Sequence, residues 1–539
     1  MFQGSPVFIL REGTERTRGK DALTNNIAAA RAIAESIRTA LGPRGLDKML
    51  TDSFGDVTIT NDGATILKEM DVAHPIAKFV VELAKSQDDE VGDGTTSVVV
   101  LTGELLKVAE TLISEGVHPT IVVEGFRLAQ EEALKYLEEI SIKVDSNDKA
   151  TLKKIASTSM GSKIISLHSD LLADLIVSAV QKVAEGNEIE LSDVKVEKKT
   201  GGSINESRLV EGIVLDKEVV HPSMPSEVEN AKILLLDDAL EISKTEIDAE
   251  LSIRSPDQIK GFLDREQGML KDMADAIANS GANVLLCSKG IDDIVQHLLA
   301  KKKIMAVRRI KKSDMEKLAK ATGGKIVSRL NDIDSNDLGN AGHVYEELVS
   351  DDKMIFVEDC ANPKAVTIII RGGTEHVVDE ADRSIHDALC VVRNVVREGR
   401  IVPGGGSPEM ELAMHLNKYS AKYGGREQLA IRAFADALEV IPRTLAENTG
   451  LDPIDIMAEL HKAQPGSFIG VDPINKKVKN FGESKDIYEP ASVKRQAISS
   501  ASEAAQMILR IDDVISAKDL GGGGGGMPGG MGGMDDMDM

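Results

Sequence analysis

The order of hydrophobic patterns along the chain is the feature that most limits its fold. Both chain ends carry apolar residues every three or four positions, the spacing of one helix face. The segments are residues 21–41, 95–116, 428–447 and 497–515. The middle instead contains short apolar runs bounded by glycine or charge, which are typical of buried strands. These runs are residues 231–236, 282–287, 304–307 and 365–370. Helical patterns between some of them predict a sheet covered by helices.

Composition excludes several classes of partner. The 539 residues suffice for about three or four domains. With 64 Lys and Arg against 88 Asp and Glu, the net charge of −24 repels phosphate backbones and anionic lipids. No apolar run approaches the roughly 18 residues that would cross a bilayer. We therefore expect a globular protein that binds neither nucleic acid nor membrane. Its three widely spaced cysteines favour a cytoplasmic location.

Five short segments rich in Gly, Thr, Asp or Ser lie at predicted helix boundaries, where unpaired backbone N–H groups can bind phosphate. They are residues 41–45, 60–65, 92–97, 157–163 and 404–406. In Gly92-Asp-Gly-Thr-Thr-Ser97, a phosphate at the following helix would meet N–H groups, hydroxyls and the positive end of the dipole. Asp93 there suits Mg²⁺, which takes one or two carboxylates with phosphate oxygens and water. Taken singly, each segment is more often a turn than a nucleotide site, and the Walker A spacing is missing.

Three further features each allow two interpretations. Asp387 lies beside the apolar stripe of a helix predicted over residues 375–397, and it is a surface acid unless a second acid and a phosphate site face it. The insertion at residues 245–280 predicts a helix that either covers the sheet or protrudes as an arm that contacts a partner. Residues 521–539, rich in Gly and Met, predict a flexible tail, either without a role or with a weakly adhesive thioether surface.

Taken together and in order, five stretches closely resemble the group II chaperonins, the family of the archaeal thermosome and the eukaryotic cytosolic chaperonin. They are residues 41–49, 60–67, 91–98, 399–406 and 432–442. The resemblance runs from about Val7 to Leu520, and five dispersed motifs in the right order are far more specific than any one of them.

The resemblance implies a multidomain fold with three units. An equatorial domain, rich in α-helices, is made from both chain ends; a small intermediate domain is mixed α/β; and an α/β apical domain carries a helical protrusion as a lid. Mapped onto this sequence, the equatorial domain is 1–147 and 405–520, the intermediate domain 148–217 and 371–404, and the apical domain 218–370 with its lid at about 245–280, followed by the tail 521–539.

The resemblance also implies an ATPase whose cofactors are ATP and Mg²⁺. The nucleotide contacts it implies are Leu41, Gly42, Pro43, Asp93, Gly94, Thr95, Thr96, Ser97, Ser159, Lys163, Gly405, Gly406, Glu489 and Lys494. Among them, Asp93 would bind Mg²⁺, Glu489 would contact the ribose, and Lys163 would sense the γ-phosphate. Asp387 would position and deprotonate the attacking water, with Asp62 beside it. Because Asp387 and the phosphate segment belong to different domains, we expect the catalytic set to be complete only after a hinge closes.

The implied function is that of an ATP-dependent molecular chaperone. Subunits, identical or paralogous, would form two stacked rings that enclose non-native protein clients under the lid and promote their folding. Two alternatives remain open at this point. One is a Mg²⁺-dependent phosphotransferase acting on a small substrate, and the other is a ring-forming holdase or scaffold that binds proteins without hydrolysis. Particle size distinguishes the chaperonin from a phosphotransferase, because a phosphotransferase needs no large assembly. An ATPase assay with and without Asp387 distinguishes the chaperonin from a holdase.

Overall fold

The structure is a computed structural model that describes residues 15–161, 164–242, 256–360 and 364–516. Its helices are α1 (Gly19–Arg38), α2 (Gly63–Glu69), α3 (Pro75–Val91), α4 (Thr95–Ser114), α5 (Pro119–Ile140), α6 (Lys149–Met160), α7 (Ser169–Val183), α8 (Pro256–Asn279), α9 (Asp293–Lys301), α10 (Lys312–Thr322), α11 (Glu375–Glu398), α12 (Ser407–Ser420), α13 (Arg426–Leu438), α14 (Val440–Thr449), α15 (Pro453–Leu460), α16 (Phe481–Ser484) and α17 (Ala491–Leu509).

Its strands form one large sheet and several small ones. They are β1 (Glu15–Arg18), β2 (Lys48–Thr51), β3 (Val57–Thr60), β4 (Ile142–Lys143), β5 (Val194–Thr200), β6 (Arg208–Val210), β7 (Gly212–Leu215), β8 (Glu227–Leu236), β9 (Val284–Cys287), β10 (Met305–Val307), β11 (Ile326–Val327), β12 (Gly339–Val349), β13 (Asp352–Cys360), β14 (Val366–Gly372), β15 (Arg400–Pro403), β16 (Ile469–Asp472), β17 (Lys477–Asn480), β18 (Tyr488–Pro490) and β19 (Asp513–Ser516).

Helices from the two chain ends pack into one hydrophobic core. Apolar faces of α1, α4 and α5 meet those of α13 and α17, and the core includes Ile37, Leu105 and Ile508. At its centre the rings of Phe126 and Phe434 meet edge to face, with centroids 5.5 Å apart. The prediction that both ends are rich in helices is confirmed.

The middle of the chain builds a seven-stranded sheet in the order β10-β9-β8-β12-β13-β7, with β11 also paired to β8. Strands β8, β9, β10 and β11 run parallel, β12 pairs antiparallel with β8, and β13 pairs antiparallel with β12. Alternate side chains of β8 enter the cores on opposite faces: Ile233 and Leu235 lie on one side, Leu234 and Leu236 on the other. Helices α8, α9 and α10 cover this sheet, as the alternating pattern predicted.

One predicted strand lies in a different sheet. β14, which begins within the apolar run 365–370, pairs with β5 and β6 in a separate three-stranded sheet against which α7 and α11 pack. β5 carries three lysines, so it did not stand out as an apolar run. The chain passes from the small sheet to the large one at Glu211, between β6 and β7, and returns between β13 and β14. The domain boundaries at 217 and 370 remain predictions.

Two helical patterns end differently from what periodicity predicts. The segment 428–447 is two helices, α13 and α14, which meet at Glu439. Glu439 keeps a helical backbone (φ −66°, ψ −11°), so the change of direction leaves no break in the local pattern. α17 ends at Leu509, and residues 513–516 are a strand paired with β1. That partner lies near the other end of the chain, where local periodicity carries no information.

The helix of the insertion covers the large sheet with its second half, and the partner-binding arm remains a prediction. In the second half of α8, Leu270, Ala274 and Ile277 are buried in the core beside the large sheet. In the first half, Lys260 and residues 264–267 are exposed to solvent. Residues 245–255, the start of the predicted arm, lie outside the described part of the chain, as does the tail 521–539. Within the described residues, every helix is too short or too polar to span a bilayer.

Candidate functional site

The turn between α3 and α4 forms the centre of the candidate site. Gly92 ends α3 with φ 69°, and Gly94 begins α4 with φ 79°, a left-handed conformation that glycine adopts without strain. Asp93, between them, accepts a hydrogen bond on Oδ1 from the backbone N–H of Gly94 at 2.6 Å. Gly94 offers no capping side chain to α4. The turn thus places one carboxylate beside a long helix N-terminus.

A second helix begins at the same place. Asp62 caps α2 by accepting from the N–H and the hydroxyl of Thr65, at 2.9 and 2.7 Å. Its other oxygen accepts from the hydroxyl of Thr95, the first residue of α4, at 3.2 Å. Gly63 lies against Thr96, since a Cβ atom at position 63 would be 2.6 Å from the Thr96 hydroxyl. The second and third glycine segments therefore converge.

Helix α11 packs on this turn from the other side. A Cβ atom added at Gly92 would lie 2.2 Å from the Cβ of Cys390. The side chain of Asn394 donates to the carbonyl of Val91 at 2.9 Å. A guanidinium N–H of Arg393 donates to the carbonyl of Glu90 at 3.0 Å. α11 is thus fixed to the last turn of α3, directly before Asp93.

This packing brings Asp387 to the turn. Asp387 is buried on α11, one turn before Cys390. Burial raises the pKa of the Cys390 thiol to about 12, and among its neighbours the carboxylates of Asp387, Asp88 and Asp93 raise it further. Asp387 is therefore a buried acid on the helix that packs against the turn of Asp93, unlike an ordinary surface acid. Asp88 was not predicted, because an acid near the end of α3 has the pattern of an exposed helical residue.

The triple glycine lies against Glu489. Gly405 and Gly406 have φ 71° and 72°, and Gly406 begins α12. A Cβ atom at Gly404 would be 3.0 Å from Oε1 of Glu489, so any side chain there would crowd that carboxylate. Strand β15, which precedes the glycines, pairs with β18, which carries Glu489.

Lys494 lies between two carboxylates. Its ammonium nitrogen is 2.9 Å from Oε1 of Glu409 and 2.5 Å from Oε2 of Glu489. Burial lowers the pKa of Lys494, but the two carboxylates outweigh burial and raise it overall. Burial raises the pKa of Glu489, while Lys494 opposes that change. Glu409 was missed by the sequence analysis. Its signal is its position, three residues beyond Gly406 and on the first turn of α12.

A narrow cavity of about 60 Å³ connects the phosphate turn to these charges. It is lined by Asp93, Gly94, Ser97, Leu101, Glu409, Ile441, Glu489, Val493, Lys494, Ala497 and Ile498. Gly94 and Ser97 of the predicted phosphate turn and Glu489, the predicted ribose contact, therefore face the same space.

The other predicted residues lie farther out or outside the description. The carbonyl of Leu41 accepts from the side chain of Asn448 at 2.9 Å, and Gly42 packs on Leu445, so the first glycine segment, including Pro43, rests on α14. The hydroxyl of Ser159, on α6, is buried and has no hydrogen-bond partner. Lys163 lies outside the described residues.

The residues present fit Mg²⁺ bound together with a nucleotide. Asp93, Asp62 and Thr95 supply oxygen atoms, the donors that Mg²⁺ prefers. In the described part of the chain, no group of three or more His, Cys, Asp or Glu side chains could hold a metal ion. An ion held by one carboxylate, phosphate oxygens and water needs no such group.

Comparison with known proteins identifies the family. Residues 33–519 match the TCP-1/cpn60 chaperonin family. The chain belongs to this family. It is 56% identical over 538 residues to thermosome subunit beta of Archaeoglobus fulgidus, covering 98% of each chain. It is 55% identical over 525 residues to thermosome subunit alpha of the same organism, and 55% over 523 residues to the thermosome subunit of Methanopyrus kandleri, covering 96% of each chain. The predicted resemblance of this chaperonin to group II members is confirmed.

Proposed function

We propose that this ATP-dependent chaperone hydrolyses Mg–ATP between the turn at Gly92–Ser97 and Asp387, and that this cycle drives the enclosure and folding of non-native proteins. The observation that carries the proposal is the packing of Cys390 against Gly92, because it sets the helix of Asp387 on the turn of Asp93. Chaperone function and ATPase activity follow from family membership. That membership disfavours both a small-substrate phosphotransferase and a holdase without hydrolysis.

The steps of ATP hydrolysis would be shared among residues at the starts of α2 and α4 and on α11. The terminal phosphate would lie at the start of α4, where the N–H groups and hydroxyls of residues 94–97 neutralise its charge. Asp93 would hold Mg²⁺, which supplies further positive charge to the phosphate oxygens. Asp387 would orient a water molecule and accept its proton as the water oxygen bonds to the γ-phosphorus and the bond to the bridging oxygen breaks. Asp62, fixed by Thr65 and Thr95, would keep that water in line.

The nucleoside would lie beyond the phosphates, toward the triple glycine. Glu489 is suited to the ribose hydroxyls because its carboxylate is an acceptor beside the side-chain-free backbone of Gly404. Lys494, Gly405 and Gly406 would border the nucleoside, and residues 41–43 would border it from α14. Ser159 would approach the γ-phosphate from α6, and Lys163 would sense the same phosphate. Glu489 and Lys494 line the cavity that the nucleoside would enter.

Separate cores support a division into equatorial, intermediate and apical domains. Asp387 lies on α11, which shares a hydrophobic core with α6, α7 and β14. The turn of Asp93 instead joins α3 and α4, which belong to the core built from both chain ends. The large sheet has cores of its own on both faces. Rotation of α11 and the core it shares with α6 and α7 away from α3 would remove Asp387 from the phosphate site. Hydrolysis would therefore be coupled to the movement of one domain against the other. The structure represents the arrangement with α11 in contact.

Exposed apolar side chains support assembly into rings. The hairpin of β2 and β3 presents Phe54 at its tip with 91% of its surface exposed, and Met49 and Leu46 are about two-thirds exposed. Large apolar side chains exposed on one short segment are typical of a protein interface. Relatives named as alpha and beta subunits fit an assembly in two rings, of one or more subunit types. Clients would be enclosed under a lid that includes the exposed first half of α8.

Replacement of the proposed catalytic acid tests this function. We expect Asp387→Ala to bind ATP as the wild type does but to lose turnover by about 100-fold or more, as expected for removal of a general base. Asp382→Ala is the matched control, because Asp382 lies on the same helix in a partly exposed ion pair with Lys198 at 3.3 Å. Steady-state phosphate release and equilibrium ATP binding measure both. Wild-type turnover in Asp387→Ala would remove this residue from its proposed role.

A further inference from the structure

The charged group Glu409–Lys494–Glu489 contains two carboxylates for one ammonium. Glu409 lies on α12, Glu489 on β18 and Lys494 on the first turn of α17. The side chains of Glu409 and Lys494 are almost fully buried, with 5% and 9% of their surface exposed. Glu489 is the accessible member, with 25% of its side chain exposed. A buried ammonium without a partner is strongly destabilising, so the group needs at least one carboxylate at all times.

Glu409 has unused capacity to bind the ammonium. Its Oε1 contacts Lys494, while its Oε2 is buried and has no hydrogen-bond partner. A buried acceptor without a partner is unfavourable and is uncommon in folded proteins. The second oxygen therefore gains from any rearrangement that brings the ammonium nearer to it.

We propose that Glu409 is a positioning residue that retains Lys494 when a nucleotide binds, so that Glu489 can leave the ammonium and accept hydrogen bonds from the ribose hydroxyls. The inference rests on the proposed nucleotide-binding function and adds a residue and a partner exchange to it. Before binding, Lys494 bridges both carboxylates; after binding, Glu409 holds it with both oxygens and Glu489 faces the ligand. Glu489 is the member that can turn, because it is the most exposed and lies beside Gly404.

The exchange has a consequence that a purely structural role lacks. If Glu409 is removed, Glu489 becomes the only carboxylate on a buried ammonium, and leaving it would strand that charge. Glu489 would then stay on Lys494, and the ribose hydroxyls would lose their acceptor. Selectivity for the ribose hydroxyls therefore reports on Glu409, although Glu409 itself does not reach the ribose.

The test compares binding of ATP and 2′,3′-dideoxy-ATP to the full-length assembled chain by titration calorimetry. We expect the wild type to prefer ATP by about tenfold or more, the usual effect of hydrogen bonds to a charged group. We expect Glu409→Gln and Glu489→Gln each to reduce this ratio to near one. Glu411→Gln is the matched control: Glu411 is equally buried on the same helix, but accepts from the backbone N–H groups of Gly466 and Phe468, at 2.8 and 3.0 Å. It should keep the wild-type ratio.

Each outcome separates the inference from the function on which it rests. A preserved ratio in Glu409→Gln with a lost ratio in Glu489→Gln overturns the exchange but leaves the proposed function. A preserved ratio in both shows that Glu489 does not contact the ribose and overturns the exchange as well. A wild type that binds no ATP overturns the proposed function together with the inference.

A double variant tests the direction of the effect. Glu409→Gln combined with Lys494→Met removes the ammonium along with its partner, so Glu489 is no longer retained and the preference for ATP should return. Failure to recover it would contradict the exchange. Should Glu409→Gln not fold, Glu409→Asp decides the question: its carboxylate is withdrawn by one methylene, and an unchanged ratio in it would also contradict the exchange.

Discussion

Cys390 packs against Gly92 so closely that no side chain fits between α11 and the turn before Asp93. Asp387 lies one helical turn from this thiol, and its carboxylate is among those that raise the thiol's pKa. The distance between positions 92 and 390 is therefore a measure of whether the proposed water-activating acid faces the phosphate site.

A methyl group at position 92 should separate the two halves of the site. Gly92→Ala places a Cβ 2.2 Å from that of Cys390, so α11 must move. We expect ATP binding to persist and phosphate release to fall by about tenfold or more, since misplacement by 1 Å is enough for such losses. Gly116→Ala is the control, because Gly116 has φ 90° but no neighbour within 4 Å. It should cost about 1–2 kcal/mol of stability from backbone strain without changing turnover. Equal loss of turnover in both variants would contradict the role of the contact.

Asp62 caps α2 and is also proposed to act in hydrolysis through its charge. The substitution Asp62→Asn separates these two roles. Asp62→Asn can still accept from the N–H of Thr65 and cap α2, because Asn is as good an N-cap as Asp. We expect its melting temperature to stay near that of the wild type while phosphate release falls by about tenfold or more through loss of the charge. Asp148→Asn, at the cap of α6, makes the same change away from the site and should leave turnover unaffected. Normal turnover in Asp62→Asn would limit Asp62 to capping.

The buried thiols predict a loss of stability in alkali. Burial raises the pKa of Cys287 and Cys360 to about 11 and that of Cys390 to about 12, from an ordinary value of 9.0. Between pH 9 and 11 the unfolded chain has lost these protons and the folded chain has not. The free energy of unfolding therefore falls as pH rises, by up to about 1.4 kcal/mol per pH unit for each thiol. Replacement of all three by Ala should flatten this slope in denaturant titrations at pH 8 to 11. Identical slopes would contradict the raised pKa values of these thiols.

The two halves of α8 predict different effects of deletion. Removal of residues 250–267 takes away the exposed positions 260, 261 and 264–267, and should leave ATPase activity intact while a captured protein becomes sensitive to protease. Extension of the deletion to residue 275 also removes Leu270 and Ala274 from the core beside the large sheet, and should destabilise that sheet. Leu270→Ala, which costs about 2–5 kcal/mol, is the control for the core effect alone. Full protection of the captured protein after the shorter deletion would contradict the lid.

The sequence predicted those parts of the fold and site that local patterns encode. The helical periods around α1, α4 and α11 match the observed helices, and Gly92-Asp93-Gly94 predicted a turn at a helix start. Contacts between distant segments were not predictable in this way. Arg393 and Asn394 bind carbonyls 303 residues away, and Glu409 pairs with Lys494 across two helices. In sequence, each of these side chains has the pattern of an ordinary polar residue on a helix.

The sheet of β1 and β19 also constrains how the protein forms on the ribosome. Residues 15–18 and 513–516 pair strand to strand, with Arg16 bound to Asp513, and α17 completes the core begun by α1. The large sheet between Gly212 and Cys360 has all of its strands within one stretch and can fold during synthesis. The helix-rich core must wait for the last segment to emerge. Nascent chains therefore expose the apolar faces of the helices from the first chain end until synthesis is nearly complete.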